Sequence, residues 1–147
     1  MSNVLDRFKS LSDMAFYSNL CDIQKMFNML LLGKYTPKKY RYIHSTPVIQ
    51  KIEDMLDSIA RLNNINATAD PGLLEYKRSE QKKLINECNV LYRRLQTLMN
   101  TVWYQRLHTE GQAKECLERH IFKLARMIER ESALLVGWRD KTKLKVK

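Results

Sequence analysis

Glycine and proline are nearly missing from this chain, at four and three residues in 147. Folds built of many short strands and tight turns use both far more often, so the scarcity points to long helices. Abundant Leu, Lys, Arg, Glu, Met and Gln suits them. Cysteine is sparse too. Cys21, Cys88 and Cys116 are odd in number and far apart, so reduced thiols packed as small hydrophobes are expected rather than a disulfide framework. The opening "MSNVLDRFKSLSD" is polar and does not read as a secretory signal. The most apolar run, "MFNMLLL", is much too short to cross a bilayer. The expectation is a cytoplasmic protein with no membrane partner.

Recognisable catalytic patterns are missing as well. Gly33, Gly72, Gly111 and Gly137 are isolated, which leaves no glycine-rich phosphate loop, and there is no Gly-x-Ser-x-Gly elbow. His44, His108 and His120 form no metal-binding arrangement with the cysteines, and no Glu-x-x-His pair occurs. Cys116 and His120, four apart on one helical face, supply half a zinc site without a visible second half; a packed thiol beside a surface or capping imidazole is the plainer reading. The methionines sit mostly at core spacing and read as gap-fillers. No catalytic residues, metal or cofactor are expected, and a binding protein is.

What is present is cationic. The formal net charge is +10, with 44% hydrophobic and 29% charged residues, a balance ordinary for one globular domain of this length. The charge is clustered. The stretch "GKYTPKKYRYIHSTP" holds Lys34, Lys38, Lys39 and Arg41 with no acid, and "RDKTKLKVK" at 139–147 holds five cations and one acid. These two segments account for eight of the ten net charges. Such clustering favours a polyanionic partner, nucleic acid first and anionic membrane second.

Apolar periodicity divides 1–147 into one domain of four amphipathic helices. Phe16, Leu20, Ile23, Phe27 and Leu30 mark the first, ending near Gly33. A basic loop at 34–46 follows, with Thr46 as expected N-cap and Pro47 as first helical residue. Ile49, Ile52, Leu56 and Ile59 mark the second, which fades at "LNNINATADPG". Leu84, Cys88, Leu91, Leu95, Leu98 and Val102 mark the third, widened by Ile85, Tyr92 and Met99. After Gly111, the fourth carries Leu117, Ile121, Leu124, Ile128, Leu135 and Trp138. Short connections between such helices predict an all-α, antiparallel up-down four-helix bundle. One position breaks the pattern: Glu131 stands where the stripe calls for an apolar residue. Either it pairs with Arg93 or Arg94 of the third helix, or a slight rotation takes it to water.

The segment "TPKKYRY", set between the apolar first helix and "VIQKIEDMLDSIARLN", resembles the first helix-turn-helix of a family of small four-helix bundle proteins. The family includes proteins encoded in intervening sequences of bacterial ribosomal RNA genes and the accessory variability determinant (Avd) of diversity-generating retroelements, which this chain resembles most. "YKRSEQKKLINECNVLYRRLQTLM" fits its third helix. "IERESALLVGW" followed by a basic tail is similar to its closing Glu…Leu-x-Gly-Trp pattern, although Val136 stands where a glycine often precedes Gly137-Trp138. The resemblance spans about residues 16–139 and leaves 1–12 unassigned.

That resemblance implies a non-enzymatic protein that assembles as a homo-oligomer, a pentamer in Avd. It would bind the retroelement's reverse transcriptase and its template RNA, or the complementary DNA, and support mutagenic DNA synthesis. Lys34, Lys38, Lys39, Arg41, Lys141, Lys143, Lys145 and Lys147 would then meet phosphates or, for the loop, the polymerase. Tyr35, Tyr40 and Tyr42 would either stack on unpaired bases or pack the loop onto the bundle end. Phe8, Leu11, Leu62, Trp103 and Leu107 fall outside the stripes and are candidates for an oligomer interface. The alternatives are a general RNA-binding bundle of the intervening-sequence type with no polymerase partner, and a structural adaptor for acidic protein surfaces.

Overall fold

Apolar residues recurring at three and four positions wind four long helices: α1 (Ala15–Leu31), α2 (Thr46–Asn63), α3 (Pro71–Met99) and α4 (Gln112–Lys141). This computed structural model describes residues 14–31, 37–101 and 112–144, and among them there is no strand. None of the helices described is long and apolar enough to cross a membrane. Lys34, Tyr35, Lys145 and Lys147, like Phe8, Leu11, Val102, Trp103, Leu107 and His108, lie outside the described residues.

The helices pack as a ring. Both α1 and α3 lie against α4 and α2, and they close on one core containing Leu20, Ile23, Phe27, Ile52, Ile59, Leu91, Leu98, Leu124 and Ile128. Each such side chain removed from water contributes roughly 1.5–3 kcal/mol before the entropy of ordering is counted. On α2 the buried face is Val48, Ile52, Met55, Leu56, Ile59 and Leu62, so Ile49 gives way to Val48 and Met55. Leu62 belongs to the core rather than to an interface, and Tyr92 is exposed instead of widening the stripe of α3.

The approach to α2 differs from the sequence expectation. The basic segment is helical from Lys38: one α-turn (Lys38–Tyr40) passes into a π-helical stretch (Arg41–Ser45) that runs unbroken into α2. Thr46 is therefore no N-cap. Ser45 and Thr46 both have helical dihedrals, and no side-chain capping bond forms there. Pro47 supplies a physical reason for the wider winding. It has no N–H for the carbonyl four residues back, at Ile43, and its ring crowds that carbonyl, which disfavours ordinary α-geometry immediately upstream. The turn at 64–70 ends as its composition suggests. Asp70 caps α3 by accepting from the backbone N–H of Gly72 (2.9 Å) and Leu73 (3.3 Å), with Pro71 behind it.

Glu131 is fully buried, but neither arginine is its partner. Asn19 of α1 donates Nδ2 to Glu131 Oε1 at 3.1 Å and to the Met127 carbonyl at 3.0 Å, while Oε2 has no partner. Burial raises the carboxyl's pKa to about 8, against smaller opposing effects of the Asn19 hydrogen bond and the nearby Arg130. Arg93 is exposed, and Arg94 acts electrostatically on His44 instead.

Candidate nucleic-acid interface

Lys38 and Lys39 stand exposed on the helical entry to α2. Among the described residues neither pairs with an acid. Lys39 Nζ lies 5.2 Å from the centre of the Tyr40 ring, within cation–π range. Tyr40 in turn stacks on His44, with ring centres 6.0 Å apart. His44 is buried, and its pKa is lowered, first by burial and then by Arg94. Tyr40, half-buried, thus touches the bundle through His44, as the packing role expects. Arg41 follows in the π-helical stretch, and its side chain, like that of Tyr42, lies outside the described part of the protein.

The C-terminal cations are held differently. Trp138 stacks on Phe16 with ring centres 4.4 Å apart, and Lys77 sits over its ring at 5.7 Å. Lys77 also donates to the Ile65 carbonyl (2.9 Å), and its pKa is lowered by burial. One turn on, Thr142 donates Oγ1 to the Trp138 carbonyl and accepts from Gln81 Nε2. These bonds fasten the end of α4 to the start of α3 and leave Lys141 and Lys143 exposed. An open groove beside this joint is lined by Arg78 and Lys82 of α3 and Arg139 of α4, with Glu75 the one acid.

The two expected clusters are thus not brought together. The tail lies beside residues 77–81 of α3, whereas His44 lies near Arg94. Those positions on α3 are 13 to 17 residues apart, roughly 20–25 Å at the helical rise. A polyanion must reach along the bundle to meet both.

Comparison with protein-family models, with curated proteins and with solved structures finds no match to this chain.

One set of cations on α4 was not singled out from the sequence. Arg119, Lys123, Arg126 and Arg130 recur at +4, +3, +4, and all four are exposed. They lie opposite the buried stripe of Leu117, Ile121, Leu124 and Ile128. Among the described residues none has a side-chain ion-pair or hydrogen-bonding partner, although acids lie close by along the helix. The same face continues through Ala133 and Gly137 to the exposed Lys141. Phe122, 53% exposed, lies along one side, as do the acids Glu115, Glu129 and Asp140. The signal was present as a second periodicity, in antiphase to the apolar one. Segmental net charge hides it, because intervening acids cancel the sum.

Gly137 adds a separate oddity. It lies inside α4, where glycine costs roughly 0.5–1 kcal/mol relative to alanine. A Cβ placed there would meet nothing within 4 Å. The packing of this chain does not require the glycine.

At the other end of the helix, Cys116 Sγ lies 3.7 Å from His120 Nδ1, which is also 2.7 Å from the Cys116 carbonyl. No group of three or more His, Cys, Asp or Glu residues that could hold a metal occurs among the described residues.

Proposed function

We propose that this chain is a non-enzymatic accessory protein of a diversity-generating retroelement. In this reading it is a cytoplasmic, antiparallel up-down four-helix bundle that assembles as a homopentamer. It binds the reverse transcriptase and its template RNA, and holds one against the other while mutagenic complementary DNA is made. The observation that carries the reading is the exposed Lys38–Lys39 pair, unmatched by acid among the described residues, on the "TPKKYRY" segment whose resemblance to the Avd group suggested it.

The up-down arrangement is supported by the order of cross-helix pairs. Phe16 and Asn19 meet Trp138 and Glu131 in reversed order, and Lys51 and Arg61 meet Glu87 and Glu80 likewise. Separated cations at two places along the bundle suit a scaffold that touches two things at once, or one long RNA twice.

The test is affinity purification from the native host, with and without nuclease, probing for any reverse transcriptase encoded beside the gene. The expected result is co-purifying RNA and polymerase. Changing Lys38, Lys39 and Arg41 to Gln should make the slope of log RNA affinity against log salt shallower. The change expected is about 0.7–0.9 for each phosphate no longer neutralised. An unchanged slope with lost polymerase capture would make these residues the protein interface. RNA binding with no polymerase partner would favour the intervening-sequence type of bundle. Absence of any nucleic acid would favour an adaptor for acidic protein surfaces.

A further inference from the structure

We infer that the outer face of α4, from Arg119 to Lys141, is a second nucleic-acid contact: a track that takes the phosphate backbone of a single strand lying along the helix. The inference rests on the RNA-binding reading above but concerns a surface that neither the basic entry segment nor the tail defines.

Two independent observations carry it. The first is the ridge of Arg119, Lys123, Arg126 and Arg130, four exposed cations without a close ion pair, spread over roughly 16 Å. Some cations of the other faces are answered, Lys51 by Glu87, Arg61 and Lys83 by Glu80, Arg139 by Asp140; the ridge differs in lining up four that are not. Evenly spaced charges of one sign along one helix match a linear polyanion better than a compact acidic patch. The second is Gly137, on the same line, with open space where its Cβ would be. Glycine without an internal packing reason, inside a helix, fits a place where another molecule's backbone comes close. With Ala133 it leaves a low step of small residues between Arg130 and Lys141.

Phe122 favours a single strand over a duplex. A half-exposed aromatic ring beside a cationic line offers a stacking platform, which unpaired bases can use and stacked base pairs cannot. Recognition of this kind follows charge and stacking, so it tolerates sequence.

The experiment is fluorescence anisotropy of the full chain with a labelled oligouridine across a salt series. Converting Arg119, Lys123, Arg126 and Arg130 to Gln should weaken binding about tenfold or more and lower the magnitude of the salt slope by about 2–3. Gly137→Ala separates the track from mere charge: it should raise or preserve the melting temperature yet weaken binding several-fold. Phe122→Ala should weaken single-strand binding and leave binding of a matched duplex unchanged. Lys25→Gln, on α1, serves as control. Retained affinity and slope in the quadruple variant, beside a loss in the Lys38/Lys39/Arg41 variant, would overturn the track and leave RNA binding at the entry segment standing. A wild-type chain with no affinity for oligouridine would overturn both. Equal affinity for polyglutamate together with a silent Gly137→Ala would reduce the ridge to undirected charge attraction and overturn the track.

Discussion

Asn19 on α1 donates its amide to Glu131 on α4, 112 residues away, at 3.1 Å in the buried centre of the bundle. The carboxyl it meets has its pKa raised to about 8, chiefly by burial, so at neutral pH the acid is largely protonated. Cys21 of α1 and Cys88 of α3 face the same site, and burial pushes both thiols up, Cys88 to about 12. The Asn19 hydrogen bond and the nearby Arg130 oppose the rise at Glu131 only in part.

The sign of the pH effect follows. The folded state keeps a proton that the unfolded chain releases near 4.5, so this group lowers stability as pH rises, by up to roughly 1.4 kcal/mol per pH unit. The decline should run from about pH 4.5 and level off above about 8. Glu131→Gln retains an acceptor for Asn19 and cannot ionise. Its melting temperature should exceed wild type at pH 8–9, with a flatter profile from pH 5 upward. Parallel profiles for the two proteins would mean that Glu131 is ionised in the fold.

His44 acts from the other side of neutrality. Its folded pKa lies below the ordinary 6.5, through burial and then Arg94. The unfolded chain therefore takes the proton first, and stability is lost as pH falls below about 6.5 towards the folded pKa. Because Glu131 acts oppositely over the same range, the loss should show in the Glu131→Gln background, as a lower melting temperature at pH 5.5 than at 7. His44→Phe preserves a ring for Tyr40 and should remove this part of the acid-side loss; an unchanged acid limb would assign it to other groups.

Asp70 caps α3 through two backbone N–H groups. Asp70→Ala should cost about 1 kcal/mol, a fall in melting temperature of roughly 2–4 °C. Asp70→Asn should recover most of it. Equal losses for both would show that the capping bonds contribute little.

The distance between the entry segment and the tail makes their contributions to RNA affinity separable. With a strand too short to span roughly 20–25 Å, the Lys38/Lys39 and Lys141/Lys143 double variants should add in log affinity. With a long strand that bridges both ends, losing either should cost more than with the short one, because the second contact is then intramolecular. Identical losses at both lengths would mean that one RNA does not bridge the two clusters.

The amino-acid sequence determined the four helices, because spacing at three and four positions is a local property of the chain and burial follows it directly. It also set position 131 on the apolar stripe, leaving open whether the carboxyl stays inside or turns to water; the fold keeps it inside. It did not determine who meets Glu131. Spacing fixes the inward face of a helix, whereas the choice between α1 and α3 as neighbour depends on how the helices are turned in the ring, and that turned Asn19 towards it rather than Arg93 or Arg94. The winding of Arg41–Ser45 was likewise undecided, since a basic, tyrosine-rich segment looks like a loop until Pro47 is seen to sit inside a continuous helix rather than begin one. The cationic line on α4 was written in the sequence as spacing. Only tertiary structure made it a surface, by burying the opposite face, while Lys51 and Arg61 were met by acids brought from another helix. Charge clustering could be counted along the chain; whether two clusters share one site depends on long-range packing, and here α3 holds them apart.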